Sequence, residues 1–184
     1  MKNIFDPVSF VYKKIEDMDT SLFKKKVPIR ILPCDTDMPT LLLSFTTYQN
    51  FLRFFISDSY EIYRNPLESF CSDTLQNEDT MKHHLIASAA HEVRHRFQIL
   101  DKKSIIPINF FETHKDMPLI HSAIQETERR GYASNYLRQL ELDANLIESL
   151  FSTSSTHRNF NTIEVLSVNS SDILTLIKKL NLDF

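Results

Sequence analysis

The 184 residues include 21 Lys and Arg against 24 Asp and Glu, for a net charge of −3, with a single Gly and no Trp. That length suits one domain. One Gly leaves no Gly-rich loop to cradle a nucleotide, and the acidic balance gives no basic field for nucleic acid.

Asp6-Pro7 reads as a helix start, a capping carboxylate followed by a first-turn proline. Val8, Val11, Tyr12, Ile15, Met18 and Leu22 then recur at helical spacing, which predicts an N-terminal helix within 1–26. Val27, Ile29 and Ile31 alternate with other residues and carry Pro28, the pattern of an edge-like strand. Leu41 to Phe45 is a short apolar run. Asn50 to Ser57 fits a strand or a short helix, and Tyr60 to Arg64 alternates and stops at Asn65-Pro66. Residues 27–70 are therefore expected to form a small twisted sheet. Residues 79–100 follow as one long helix uninterrupted by Gly or Pro, with a buried stripe of Ile86, Ala90, Val93, Phe97 and Leu100. Asp101 to Asp116 reads as an apolar loop. Residues 117–152 hold two helices, the first ending at Gly131 and the second capped by Ser134 or Asn135. Residues 156–184 form a C-terminal extension whose last helix starts near Ser171. The expected fold class is α+β.

Within the long helix lies His91-Glu92-Val93-Arg94-His95. Positions i and i+4 share a helix face, so His91 and His95 offer two imidazoles to one point, as a tetrahedral Zn²⁺ requires. Glu92 projects beside that point and is placed to take a proton from an attacking water. A catalytic zinc wants a third protein ligand. Glu141, at the edge of the stripe Leu140, Ala144, Ile147 and Phe151, is the first choice, and Asp143 the second. The competing explanation is a polar helix face carrying the motif by chance.

His91-Glu92-x-x-His95 followed at a distance by Glu141-Leu142-Asp143-Ala144-Asn145 resembles the gluzincin class of zinc metallopeptidases, over roughly Val27 to Phe151. The resemblance implies a zincin-like fold, with a small twisted sheet beside two metal-site helices and helices at both ends. It implies His91, His95 and Glu141 as zinc ligands and Glu92 as general base of peptide hydrolysis. It also implies a peptide or protein substrate bound as an added strand on a sheet edge. Asn145 stands where many members carry an Asp that supports the first ligand His, so support for His91 is in question.

His114, His121, Tyr132 and Tyr136 are candidates for a donor opposite the base. His83 and His84 are expected to face solvent, and Arg94 and Gln98 to tie their helix to a neighbour. Cys34 and Cys71 are expected as free thiols of a reducing compartment. No apolar run reaches about 18 residues, so no membrane span is expected. Without a recognisable signal peptide the expected location is the cytoplasm. The alternative to a peptidase is a non-catalytic zinc-binding or protein-interaction module on the same fold.

Overall fold

The structure is a computed structural model, and it describes residues 5–33, 42–50, 55–73, 77–132, 134–154 and 161–180. The fold is α+β, mostly helical, with one small mixed sheet. Its internal contacts divide the chain into two units, residues 1–92 and 93–184, with the boundary inside one unbroken helix.

The first unit opens with α1 (Pro7–Leu22). Asp6 caps it: Oδ1 accepts from the Val8 and Ser9 amides at 3.0 and 3.3 Å, satisfying donors that a helix start leaves open. Val8, Val11, Ile15 and Met18 are buried as the spacing predicts, while Tyr12 stays partly exposed. Three strands follow, β1 (Ile29–Leu32), β2 (Leu43–Asn50) and β3 (Phe55–Tyr63). Their order is β1-β3-β2, with β1 parallel and β2 antiparallel to β3. Both β1 and β2 are thus edges, and β3 is central. Ser59 through Tyr63 is accordingly buried on both faces. On one face the Phe45 ring packs at a tilt against Tyr60, 5.0 Å between centroids, and the Tyr60 hydroxyl donates to buried Asp19 of α1 at 2.7 Å. On the other, the Tyr63 hydroxyl donates to buried Glu61 at 2.8 Å.

The strand stops at Asn65-Pro66 as expected, β3 ending at Tyr63. A helix, α2 (Arg64–Asp73), starts directly after Tyr63, so the sheet region stops short of residue 70. Proline is tolerated in a first turn because its missing N–H has no intrahelical acceptor there. Cys71 on α2 is a free, half-buried thiol whose pKa is raised by burial. Cys34 lies outside the described residues.

Next comes α3 (Glu78–Leu100). Asn77 caps it, Oδ1 accepting the Thr80 amide at 2.8 Å, and Glu78 and Asp79 complement the helix dipole. Its burial departs from the single stripe expected. Leu85, Ala87, Ala89, Ala90, His91, Val93, Arg94, Arg96 and Gln98 are buried, whereas Leu100 is 60% exposed. Those positions run round most of the circumference. Alanines let neighbours approach from several sides, so no single amphipathic face exists.

The second unit continues from α3. Residues 101–116 are not the loop expected: a one-turn 3₁₀ helix covers Lys102–Ser104, and α4 (Ile108–Thr113) buries Phe110 and Phe111. Then come α5 (Pro118–Arg130) and α6 (Asn135–Ser154). Gly131 ends α5 at φ 68°, a conformation that favours glycine. Ser134 Oγ caps α6, accepting the Leu137 amide at 3.2 Å. The Ser152-Thr153-Ser154 end of α6 is helical. The extension forms α7 (Thr162–Leu166) and α8 (Ile173–Lys179), which bury Val165, Leu166, Ile173, Leu176 and Ile177.

Candidate metal centre

Helix α3 carries His91 with Glu92 beside it and His95 one turn on, and α6 carries Glu141. The ligand atoms of His91, His95 and Glu141 all lie within 4.8 Å of one another, a grouping able to hold a metal ion. His91 is 4% exposed, whereas the side chains of His95 and Glu141 keep 16% and 21% of their surface. Two imidazoles and one carboxylate form a donor set that suits zinc.

The tautomer of His95 follows from its neighbours. Gln98, one turn on, donates from Nε2 to the Leu140 carbonyl and to Asp143 Oδ2, both at 2.8 Å. Neither oxygen can donate in return, so the amide orientation is settled. Gln98 Oε1 therefore faces His95 Nδ1, at 2.9 Å, and must accept the ring N–H. In a neutral ring that leaves Nε2 with its lone pair, 3.4 Å from Glu141 Oε1. Two acceptors facing one another repel. The pair is attractive only with a cation between them or a second proton on the ring. Metal-bound histidines characteristically donate their other N–H in this way.

Asp143 does not join that group. It is fully buried and accepts from Arg94 at two points, Nε to Oδ2 at 3.0 Å and Nη2 to Oδ1 at 2.8 Å. The Arg94 guanidinium also donates to the carbonyls of Leu166 at 2.7 Å and Ser104 at 3.1 Å. A residue inside the HExxH motif thus ties α3 to α6, to the 3₁₀ turn and to α7. Asp143 in turn holds Gln98, and Gln98 holds His95. Asn145 spends its amide on α5, with Nδ2 donating to Thr127 Oγ1 at 2.8 Å, while its buried Oδ1 makes no hydrogen bond among the described residues.

Of the four candidate donors, Tyr132 stands at the site. Burial first, then the nearby Glu141 carboxylate, push its pKa up to about 12. It stays protonated at neutral pH and so remains a donor. His114 is occupied locally, with Nδ1 2.8 Å from the Phe110 carbonyl and its ring 4.5 Å from the Phe110 ring. His121 and Tyr136 are exposed. His84 faces solvent as expected, and His83 is half-buried.

Glu92 is half-buried, and its Oε2 accepts the main-chain N–H of Phe45 in β2 at 2.7 Å. Its Oε1 makes no hydrogen bond among the described residues. Sequence reasoning placed Gln98 as a tie between helices and missed its hold on His95. The usable signal was its position one turn beyond that histidine. The Phe45 amide left no signal, because main-chain donors are not encoded by residue type.

No family model, curated protein or solved structure matches this chain. The reading of the site rests on its own chemistry.

Proposed function

We propose that the chain is a zinc-dependent metallopeptidase of gluzincin type, with a zincin-like fold. His91, His95 and Glu141 hold the ion, and Glu92 is the general base. The observation that carries this reading is the grouping of the His91, His95 and Glu141 ligand atoms within 4.8 Å of one another, with His95 Nδ1 facing Gln98 and Nε2 facing Glu141. His91 on the same helix face supplies the third donor.

Zinc in such a site supplies a Lewis acid and brings the pKa of a water towards neutrality. The rest falls to side chains. Glu92 Oε1 takes a proton from the attacking water and passes it to the nitrogen of the departing amine. Gln98 keeps the His95 lone pair on Nε2. Tyr132, neutral beside Glu141, presents a hydroxyl donor there. An extended peptide docks as an added strand on the edge of the sheet. No helix among the described residues is long and apolar enough to cross a membrane.

Metal analysis of the purified protein beside His95→Ala, together with hydrolysis of unfolded casein by wild type and Glu92→Gln, tests the proposal. Zinc present in wild type and lost in His95→Ala, with casein cleavage lost in Glu92→Gln, is the expected result. A protein that purifies without zinc and takes none up would show His95 and Glu141 to be an ordinary ion pair. Zinc held tightly with no turnover would select the non-catalytic module.

A further inference from the structure

The hydrogen bond between Glu92 and Phe45 has a direction that the sheet dictates. The Tyr63 amide donates to the Leu42 carbonyl at 3.0 Å, so that rung of the β2–β3 ladder is hydrogen-bonded. Rungs of an antiparallel pair alternate. Leu43 opposite Ile62 is therefore a non-bonded rung, Ser44 opposite Glu61 a bonded one, and Phe45 opposite Tyr60 a non-bonded one. The N–H and C=O of Phe45 point away from β3. Among the described residues no strand lies on that side of β2. The Phe45 N–H is thus a free-edge donor, of the kind an added strand uses, and Glu92 Oε2 has taken it.

We infer that the Phe45 main-chain amide is the positioning group of Glu92: it anchors Oε2 to the edge of the sheet, leaves Oε1 as the basic oxygen, and withdraws this rung from any docking strand. This deepens the peptidase reading and rests on it for the catalytic consequence, though not for the anchor itself. A carboxylate on two rotatable carbons needs a second contact to hold one oxygen still, and a main-chain amide on a paired strand is a rigid one. A charge-assisted N–H bond to a carboxylate is also stronger than a neutral one. A peptide joining the β2 edge must then find its outward-facing donor at the next rung of the same sense, Thr47 opposite Asp58. The base and the docking strand are set in register by the same strand.

Two measurements on the full chain test this. The first uses metal-free protein and needs no substrate: hydrogen exchange of the Phe45 amide in wild type and in Glu92→Ala. The expected result is slow exchange in wild type, accelerated at least tenfold in Glu92→Ala, with the Tyr63 amide unchanged as the ladder control. Equal Phe45 exchange in the two proteins overturns the anchor. The second compares Phe45→Pro with Phe45→Ala in the zinc-loaded protein. Both lose the Phe45–Tyr60 ring contact, but only proline removes the N–H. An edge strand accepts proline where the N–H points outward, so the ladder is preserved. Casein hydrolysis by Phe45→Pro is expected to show a kcat at least tenfold below that of Phe45→Ala, with similar KM and zinc content. Equal kcat values overturn the positioning role. If wild type cleaves no casein and binds no zinc, the peptidase reading falls, and the exchange result alone decides whether Glu92 is anchored.

Discussion

Gln98 accepts the Nδ1 proton of His95 at 2.9 Å, and by doing so decides which nitrogen of that ring can bind a metal. The glutamine is itself held by donating to the Leu140 carbonyl and to Asp143. His95 on α3 is thereby oriented from α6 through one amide. Gln98→Met keeps the volume and removes both functions. Zinc affinity, measured by chelator competition, is expected to fall roughly 10- to 100-fold, as for other groups that orient a ligand. An unchanged affinity would remove Gln98 from the site.

The two carboxylates of the second motif separate by role. Glu141 lies within 4.8 Å of the histidine nitrogens, whereas Asp143 faces Arg94. Residues two apart on a helix differ by about 200° in azimuth, so one metal cannot take both. Glu141→Ala is expected to weaken zinc binding sharply while leaving the melting midpoint within a few degrees. Loss of metal in Asp143→Asn with full retention in Glu141→Ala would reverse the assignment.

Arg94 and Asp143 are each 0% exposed. Removing one partner strands the other as a buried charge, which costs about 3–5 kcal/mol. For a chain of this size that lowers the melting midpoint by roughly 6–20 °C. Arg94→Leu and Asp143→Leu should each show that loss by calorimetry, and the double variant should recover a large part of it, because replacing both charges leaves none unpaired. Single variants that melt with the wild type would show the pair to be energetically idle.

Asp6 caps α1, and its carboxyl is held below its usual range, first by the Ser9 side-chain hydrogen bond and then by the Ser9 and Val8 amides. A carboxyl depressed in the folded state adds stability above its unfolded pKa, about 3.9, and loses it as pH falls through the folded value. Asp6→Ala is expected to cost about 0.5–2 kcal/mol at pH 7. The gap between variant and wild type in urea midpoint should narrow below about pH 4. A gap that stays constant to pH 2 would argue against the charged cap.

Much of this was legible in residue order because the signals were local. Asp6-Pro7 announced α1, Gly131 announced the end of α5, and the spacing of His91 and His95 placed both on one helix face. Helical geometry alone fixes those relationships over one or two turns. The reading failed where tertiary packing overrode local pattern. Leu100 continues the apolar spacing but is exposed, because it ends α3 where Ile99, Leu100 and Asp101 all reach solvent. Asn65-Pro66 marks the end of β3 as its pattern suggests, but the helix that starts there, α2, has no equally local signal. Residues 101–116 carry no helical period long enough to show, yet Phe110 and Phe111 seat the short helix α4 in the core.

The amino-acid order by itself determined the chemical types and their spacing: two imidazoles four residues apart, a carboxylate beside the first, and a Glu–x–x–Ala–Asn run farther on. Only the tertiary structure decided which carboxylate turns towards the histidines and which one neutralises Arg94. Azimuth on α6 offers both sides, and the choice depends on which face packs against α3's guanidinium. Likewise only the paired sheet, by alternating its rungs, turned the Phe45 amide outward to meet Glu92. A main-chain donor acquires its direction from strand pairing, and that is a property of register and not of residue type.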